Sequence, residues 1–303
     1  MANCILCKNY LSLRPKNSKS MSFSITLRDG RCLDYARPAV MGIINLTPDS
    51  FYAASRALAD YTSPELDAEA LRQRVRQMLA DGAQMLDVGA CSTRPGYTPP
   101  SADEELRRLA WGLPIVREIA ALANVPISVD TYRASVAEAA VTRLGADIIN
   151  DVYAGTRDEA MFDVVARTGA PYILMADALE VDRWFRERLE VLANAFARHP
   201  RDVRGTIILD PGYGFSKTLA DNYLWMRRLP QLIRDFSAYP MLVGISRKSM
   251  IFKLLANDPD HALNGTTVLN TLAIEAGAHI LRVHDVREAV EAVKICEAVR
   301  GEE

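Results

Sequence analysis

Polar side chains recur at one kind of place in this chain, the end of a short apolar run. Asn45 closes the first run and Ser92-Thr93-Arg94-Pro95-Gly96 follows the second. Asp130, Asn150-Asp151, Met175, Asp210, Ser246-Arg247-Lys248-Ser249 and Arg282-Val283-His284 close or follow the others. Taken singly, such residues are turn formers and helix N-caps. Taken together, carboxylates, amides and cations around one buried axis cost desolvation unless a polar ligand satisfies them. Thr93, Arg94, Arg282 and His284, with Asn45, are donors suited to an oxyanion-rich group such as phosphate, and arginine offers a planar fork. Asp130, Asn150, Asp210 and Lys248 suit a flat heterocycle carrying amino and oxo groups. Because cations and carboxylates fall on separate runs, the pattern predicts a ligand with an anionic tail and a polar ring.

Those groups converge only if the elements carrying them run in parallel. From residue 39 onward the chain repeats an apolar run, a loop and an amphipathic helix. The runs are Val40 to Leu46, Met85 to Gly89, Pro126 to Val129, Asp147 to Asn150, Pro171 to Met175, Thr206 to Leu209, Met241 to Ile245 and Ile280 to Val283. The helices are expected over 65–80, 103–122, 133–143, 158–168, 182–198, 218–229, 266–276 and 286–300, where apolar residues recur at spacings of three and four. Strands apolar nearly throughout are buried on both faces, so the sheet is parallel with helices over it. Eight such units predict an α/β fold, a (β/α)8 TIM barrel whose functional groups share the mouth at the strands' C-terminal ends. A doubly wound open sheet competes, but the first run is followed by Asn45-Leu46-Thr47-Pro48-Asp49-Ser50 rather than a Gly-rich phosphate turn. Before the repeat, Phe23 to Leu27 and Cys32 to Tyr35 flank Asp29-Gly30 and predict a short N-terminal β-hairpin.

The chain has 303 residues, 49% of them apolar and 24% charged, as in an ordinary soluble globular protein. No linker breaks the series, so residues 22–303 read as one domain behind a tail at 1–21. That tail is basic and serine-containing, and is either disordered, a transit-like segment, or the product of a start placed ahead of Met21. Its Cys4-Ile5-Leu6-Cys7 has CxxC spacing without a second pair to complete a zinc site. Thirty-six basic against thirty-eight acidic residues leave a formal charge of −2, so no global field favours nucleic acid or an anionic membrane. Five scattered cysteines point to a reducing, cytoplasmic setting. No apolar run is long enough to span a bilayer.

At this point the motifs match a known family. Met41-Gly42-Ile43-Ile44-Asn45-Leu46-Thr47-Pro48-Asp49-Ser50-Phe51, Ser92-Thr93-Arg94-Pro95-Gly96, Ser128-Val129-Asp130-Thr131, Ile149-Asn150-Asp151, Leu209-Asp210-Pro211-Gly212-Tyr213-Gly214-Phe215, Ser246-Arg247-Lys248-Ser249 and Arg282-Val283-His284-Asp285-Val286 together resemble dihydropteroate synthase. The resemblance covers residues 39 to about 300. It implies a transferase that joins 6-hydroxymethyl-7,8-dihydropterin pyrophosphate to 4-aminobenzoate in folate biosynthesis. It implies that Asp130, Asn150, Asp210 and Lys248 hold the pterin over Met175. Asn45, Thr93, Arg94, Arg282 and His284 would hold the pyrophosphate, with Mg²⁺ near Asn45. Phe51, Thr93, Pro95, Phe215, Lys248 and Ser249 would shape the 4-aminobenzoate pocket, where sulfonamides compete in the family. Asp130, Asp210, Lys248, Arg282 and His284 would carry the catalysis, with the loops Asn45 to Arg56 and Cys91 to Pro99 closing over the second substrate.

Two places depart from the family pattern. Cys91 stands where Glu is usual, and after the fifth run Met175-Ala176-Asp177-Ala178-Leu179-Glu180 lacks the usual His and enters the next helix quickly. The alternatives are therefore a pterin-dependent methyltransferase and a catalytically weakened pterin-binding paralogue. The family's habit, with Leu269, Leu272, Ile274 and Val290 in the last helices, is compatible with a homodimer.

Overall fold

The computed structural model describes residues 21–46, 64–91 and 98–301. Strands β1 (Phe23–Thr26) and β2 (Cys32–Tyr35) pair antiparallel, with Phe23 opposite Tyr35. Their rings stack at 4.7 Å. The turn between them holds Gly30 at a φ of +85°, a left-handed conformation that glycine adopts without strain, so the expected hairpin is present.

The repeat follows as β3 (Ala39–Asn45), α1 (Pro64–Ala80), β4 (Met85–Gly89), α2 (Ala102–Ala120), β5 (Ile127–Asp130), α3 (Ala134–Arg143), β6 (Ile148–Asp151), α4 (Met161–Thr168), β7 (Tyr172–Met175) and α5 (Val181–Arg198). It continues through β8 (Ile207–Asp210), α6 (Leu219–Asp235), β9 (Leu242–Val243), α7 (Ser249–Phe252), α8 (Leu263–Ala276), β10 (Ile280–Val283) and α9 (Val286–Arg300). The sheet order is β8-β7-β6-β5-β4-β3-β10-β9, and every registered pair in it is parallel. A bridge from Leu209 to Met241, next to β9, closes the ring. The architecture is the (β/α)8 barrel that the repeat predicts.

Among the boundaries that differ from the expectation, three have a plain physical reason. The seventh run yields only the two-residue strand β9, because Gly244 and Ile245 already belong to the turn that leads to Lys248. Helix α6 runs through Pro230 to Asp235 instead of stopping before the proline. Leu229 and Leu232 are buried on either side of it, and their packing outweighs the one hydrogen bond that proline forfeits. Helix α4 starts at Met161 rather than 158, since the Asp158 carboxylate accepts bonds from the Ala134 and Ala160 N–H groups and shapes the turn before it.

The strand period of two places the site. Met41, Met85, Ile148, Ile173, Ile208, Leu242 and Ile280 form an apolar layer inside the barrel, and Ile25, Leu27 and Tyr35 of the hairpin segment join it from below. The residues between them along each strand, such as Val40, Leu86 and Ile149, face outward into the helix layer. Two residues further toward the C-terminal end, the inward positions are Asp87, Asn150, Met175, Asp210, Gly244 and Arg282. The polar mouth is thus the next layer above an apolar one.

Candidate active site

Arg282 is the hub of the polar layer. Its Nε donates to Asp87 Oδ2 at 2.6 Å and its Nη2 to Asp130 Oδ2 at 2.7 Å. Asn150 Nδ2 donates to the same Asp87 oxygen at 3.0 Å. One carboxylate from β4 therefore orients both the guanidinium of β10 and the amide of β6. Burial pushes the Asp130 carboxyl well above its usual range; Arg282 pulls it back, and the nearby Asp87, Glu105 and Asp151 push it further up. Burial alone would lower the Arg282 pKa, but Asp87 and Asp130 outweigh it and hold the guanidinium firmly charged.

This geometry corrects the expected separation of cations from carboxylates. Arg282 lies between two carboxylates because a guanidinium with little solvent access needs counter-charge within hydrogen-bond reach. Asp87 itself was missed by the sequence reading, which treated Met85 to Gly89 as an apolar run. Its signal was available: a fully buried strand carries no charge at an inward position unless a partner meets it there.

Asp210, on β8, accepts the Gly212 N–H at 2.8 Å. Burial raises its carboxyl, and Lys248 is the foremost group opposing that shift. Lys248 donates to the Tyr213 carbonyl at 2.6 Å and lies 4.6 Å over the Phe215 ring. Burial lowers its ammonium pKa to about 8, with Asp210 opposing the drop. Met175 is buried on the inward face of β7 beside these groups. The structure thus gathers Asp130, Asn150, Met175, Asp210, Phe215, Lys248 and Arg282 in the layer at the C-terminal ends of the strands and the turns that follow. Ser249 begins α7 directly after Lys248.

Asn45 ends β3 beside Gly89, where a Cβ would lie 3.8 Å from Asn45 Oδ1 and 3.4 Å from Asp130 Cβ. His284 presents Nδ1 to Ser246 Oγ at 3.0 Å, and the same hydroxyl accepts the His284 backbone N–H at 3.1 Å. A hydroxyl that accepts from the backbone can still give its own proton to Nδ1, an arrangement that leaves the imidazole proton on Nε2. Burial, then the surrounding Arg282, Arg247, Arg74 and Lys248, depress the His284 pKa to about 3. His284 is a neutral donor at physiological pH rather than one of the site's cations.

Two polar neighbours turn away from the mouth. Asp151 faces the helix layer and accepts from Tyr153 N, Gly155 N and the Tyr172 hydroxyl at 2.9, 2.7 and 2.8 Å. Arg247 has a φ of +54° and pairs in bidentate fashion with Asp285, at 2.9 Å for each bond. Its turn leaves the next residue, Lys248, to enter the site. Phe51, Thr93, Arg94 and Pro95, and the Cys4/Cys7 pair, lie outside the described residues. The residues flanking 92–97 are held by arginines. Arg108 donates to Ala90 O at 3.2 Å and Arg133 to Pro100 O at 2.6 Å, while Arg133 pairs with the fully buried Glu105. Arg133 Nη1 also lies 3.9 Å from Cys91 Sγ, and burial, aided by Glu105, pushes that thiol up to about 11.

The barrel recurs in known proteins. Residues 41–284 match the model of the family described as pterin binding enzyme. The chain is 38% identical over 280 residues to the dihydropteroate synthase of Escherichia coli, an alignment covering 89% of this chain and 94% of that one. It is similar to the Xanthomonas albilineans dihydropteroate synthase solved with 4-aminobenzoic acid, with 34% identity, a TM-score of 0.76, and 91% and 98% of the two chains covered. It is likewise similar to a Coxiella burnetii dihydropteroate synthase in complex with pteroic acid, at 32% identity and a TM-score of 0.76 over 93% and 100% of the two chains. With its barrel closed and Asp130, Asn150, Asp210, Lys248 and Arg282 brought to one mouth, the chain belongs to the pterin binding enzyme family, among the dihydropteroate synthases.

Proposed function

We propose that the chain joins 6-hydroxymethyl-7,8-dihydropterin pyrophosphate to 4-aminobenzoate, giving 7,8-dihydropteroate and pyrophosphate. The observation that carries this reading is the hub in which Arg282 is held between Asp87 and Asp130 in one layer with Asn150, Asp210 and Lys248. The reaction breaks the bond from the pterin methylene carbon to the pyrophosphate oxygen, and the electron pair leaves with the pyrophosphate. Positive charge then spreads over the methylene and ring, where Asp130 and Asp210 offset it. Negative charge develops on the leaving group, toward which Arg282 offers a guanidinium and His284 a neutral N–H. The amine lone pair of 4-aminobenzoate forms the new C–N bond, and the nitrogen loses its proton.

Magnesium fits this site as a companion of the pyrophosphate. It takes hard oxygen ligands and keeps one or two from protein when phosphates and water supply the rest. Asn45 Oδ1 is such an oxygen, and the described residues contain no group of three or more His, Cys, Asp or Glu able to hold a metal by themselves. When bound, the ion would neutralise part of the charge on the departing pyrophosphate.

The barrel supports a single domain. We read it as residues 22–303, and Met21, the last residue of the stretch read as a tail, lies against it, with its Sδ 3.5 Å from Arg300 Nη1. A homodimer is supported by an exposed apolar strip, Val268 and Leu272 on α8 with Ile295 and Val299 on α9, whereas Leu269 and Ile274 are buried in the chain's own core. Among the described residues no helix is long and apolar enough to cross a membrane. Cys32, Cys91 and Cys296 take part in no disulfide, which fits a reducing, cytoplasmic setting.

The test is incubation of the purified protein with both substrates and Mg²⁺. Formation of dihydropteroate and pyrophosphate in equal amounts is expected. Methyl transfer from a methylated pterin without condensation, or pterin binding without turnover, would overturn the proposal. Because Arg282 serves both halves of the site, Arg282→Ala should weaken pterin and pyrophosphate binding together, while Asp210→Asn weakens chiefly the pterin.

A further inference from the structure

The mechanism leaves a half-buried lysine unused. Lys217 lies in the turn between β8 and α6, two residues beyond Phe215. Its Nζ donates to three backbone carbonyls: Ala176 and Gly212 at 3.0 Å each, and Phe215 at 3.3 Å. Three protons on a tetrahedral ammonium meet three acceptors. Ala176 belongs to the turn after β7, and Gly212 and Phe215 to the turn after β8. The same two turns are joined beside it by Ser216 Oγ, which donates to Asp177 Oδ1 at 2.5 Å.

The two turns are also in contact as backbone. Gly212 has a φ of +69°, and a Cβ placed there would lie 2.2 Å from the Ala176 carbonyl oxygen. Two carbonyls brought together in this way present their negative ends to a confined space, and the ammonium neutralises them. The knot adjoins the pterin-facing groups on three sides. Met175 precedes Ala176, the Gly212 N–H binds the Asp210 carboxylate, and Phe215 carries the ring beneath Lys248.

We infer that Lys217 is a positioning residue for the pterin site, tying the turn after β7 to the turn after β8 so that Met175 and Asp210 face one ligand, with Phe215 held under Lys248 at the border with the 4-aminobenzoate pocket. This rests on the proposal that Met175 and Asp210 hold the pterin. The charge needed is present at neutral pH: burial lowers the ammonium pKa to about 8, while Asp210, Asp177 and Asp221 oppose that drop.

The test compares wild type, Lys217→Gln, Lys217→Met and Ser216→Ala for steady-state turnover and for pteroic acid affinity by calorimetry. Wild-type turnover is the control: its absence would sink the functional reading itself, whereas the inference about Lys217 is judged only against an active wild type. Lys217→Gln keeps donors without charge and should raise the pterin KM and the pteroic acid Kd about tenfold, the scale of one charge-assisted hydrogen bond. Lys217→Met should exceed that, and the KM for 4-aminobenzoate should move less than the pterin KM. A residue that served folding alone would lower Tm or the yield of active protein and leave the pterin KM and Kd unchanged; that result overturns the inference. Ser216 is exposed, so Ser216→Ala keeps the test decisive if the Lys217 variants do not fold. A twofold to threefold rise in pterin KM, about the scale of one solvent-exposed hydrogen bond, supports the tie, and an unchanged value then overturns it.

Discussion

Replacing Asp87 by Asn removes one charge and almost no volume at the centre of the polar layer. In the wild type, Asp87 Oδ2 receives both Arg282 Nε at 2.6 Å and Asn150 Nδ2 at 3.0 Å, and Oδ1 has no hydrogen-bond partner. An amide can offer its oxygen to both donors, so the bonds persist but lose their ionic character. Its NH2 then occupies the unpartnered position and is buried without an acceptor. Losing the charge assistance of one buried bond and stranding one donor each cost about 1 kcal/mol or more, for a total near 2 kcal/mol. That is smaller than the 3–5 kcal/mol typical of breaking a buried ion pair outright, because Asp130 still faces Arg282 at 2.7 Å. For a domain of this size the loss corresponds to a fall in Tm of about 4–8 °C by calorimetry.

The same substitution should change how Asp130 titrates. The Asp87 charge is one of the causes holding the Asp130 carboxyl up, so its removal moves Asp130 toward lower pH, read by the carboxyl-carbon NMR shift. The sign in the wild type follows from linkage. The folded pKa of Asp130 lies above its unfolded value, so its contribution to stability is fully present below the unfolded pKa and is lost as pH rises through the folded one. Turnover should fall about tenfold or more, with pterin and pyrophosphate binding affected together, since Arg282 and Asn150 lose a common anchor. An unchanged Tm together with an unmoved Asp130 titration would refute the reasoning.

Other consequences follow from the remaining contacts. Arg133→Met strands the fully buried Glu105 and frees Pro100 O; we expect a loss of about 3–5 kcal/mol, measured by denaturant unfolding, and a smaller loss for Arg133→Lys. Cys91, whose thiol is held up at about 11, should resist iodoacetamide at neutral pH while exposed Cys32 is alkylated, as peptide mass spectrometry would read, and activity should survive the labelling. His284, with a pKa near 3, stays neutral through the physiological range, so a histidine-directed NMR titration between pH 5 and 8 should show no transition for it. Leu272→Glu on the exposed strip should shift sedimentation from dimer to monomer while the monomer stays folded, because half of that side chain is exposed and it is not among the residues of the buried core.

Much of this molecule could be read from the order of residues. Eight apolar runs alternating with helical periodicity left few packings other than a barrel, since strands apolar on both faces need cover on both. Asp130, Asn150, Asp210, Lys248 and Arg282 were visible because each lies at or just beyond the end of a run, and parallel strands put all run ends at one mouth. Asp87 was not visible, since a single carboxylate inside Met85 to Gly89 looks like a blemish on a hydrophobic stretch until Arg282 arrives from 195 residues away. The tertiary structure alone decided which neighbours serve the site: Asn150 faces in and Asp151 out by the alternation of a strand, and Arg247 is diverted to Asp285 by one left-handed residue. It also decided charge states. Sequence sets residue type, but burial and the company of other charges make His284 neutral, keep Arg282 firmly ionised, and bring Lys217 and Lys248 within reach of neutrality. Those properties depend on distances across the barrel, which no local stretch of chain encodes.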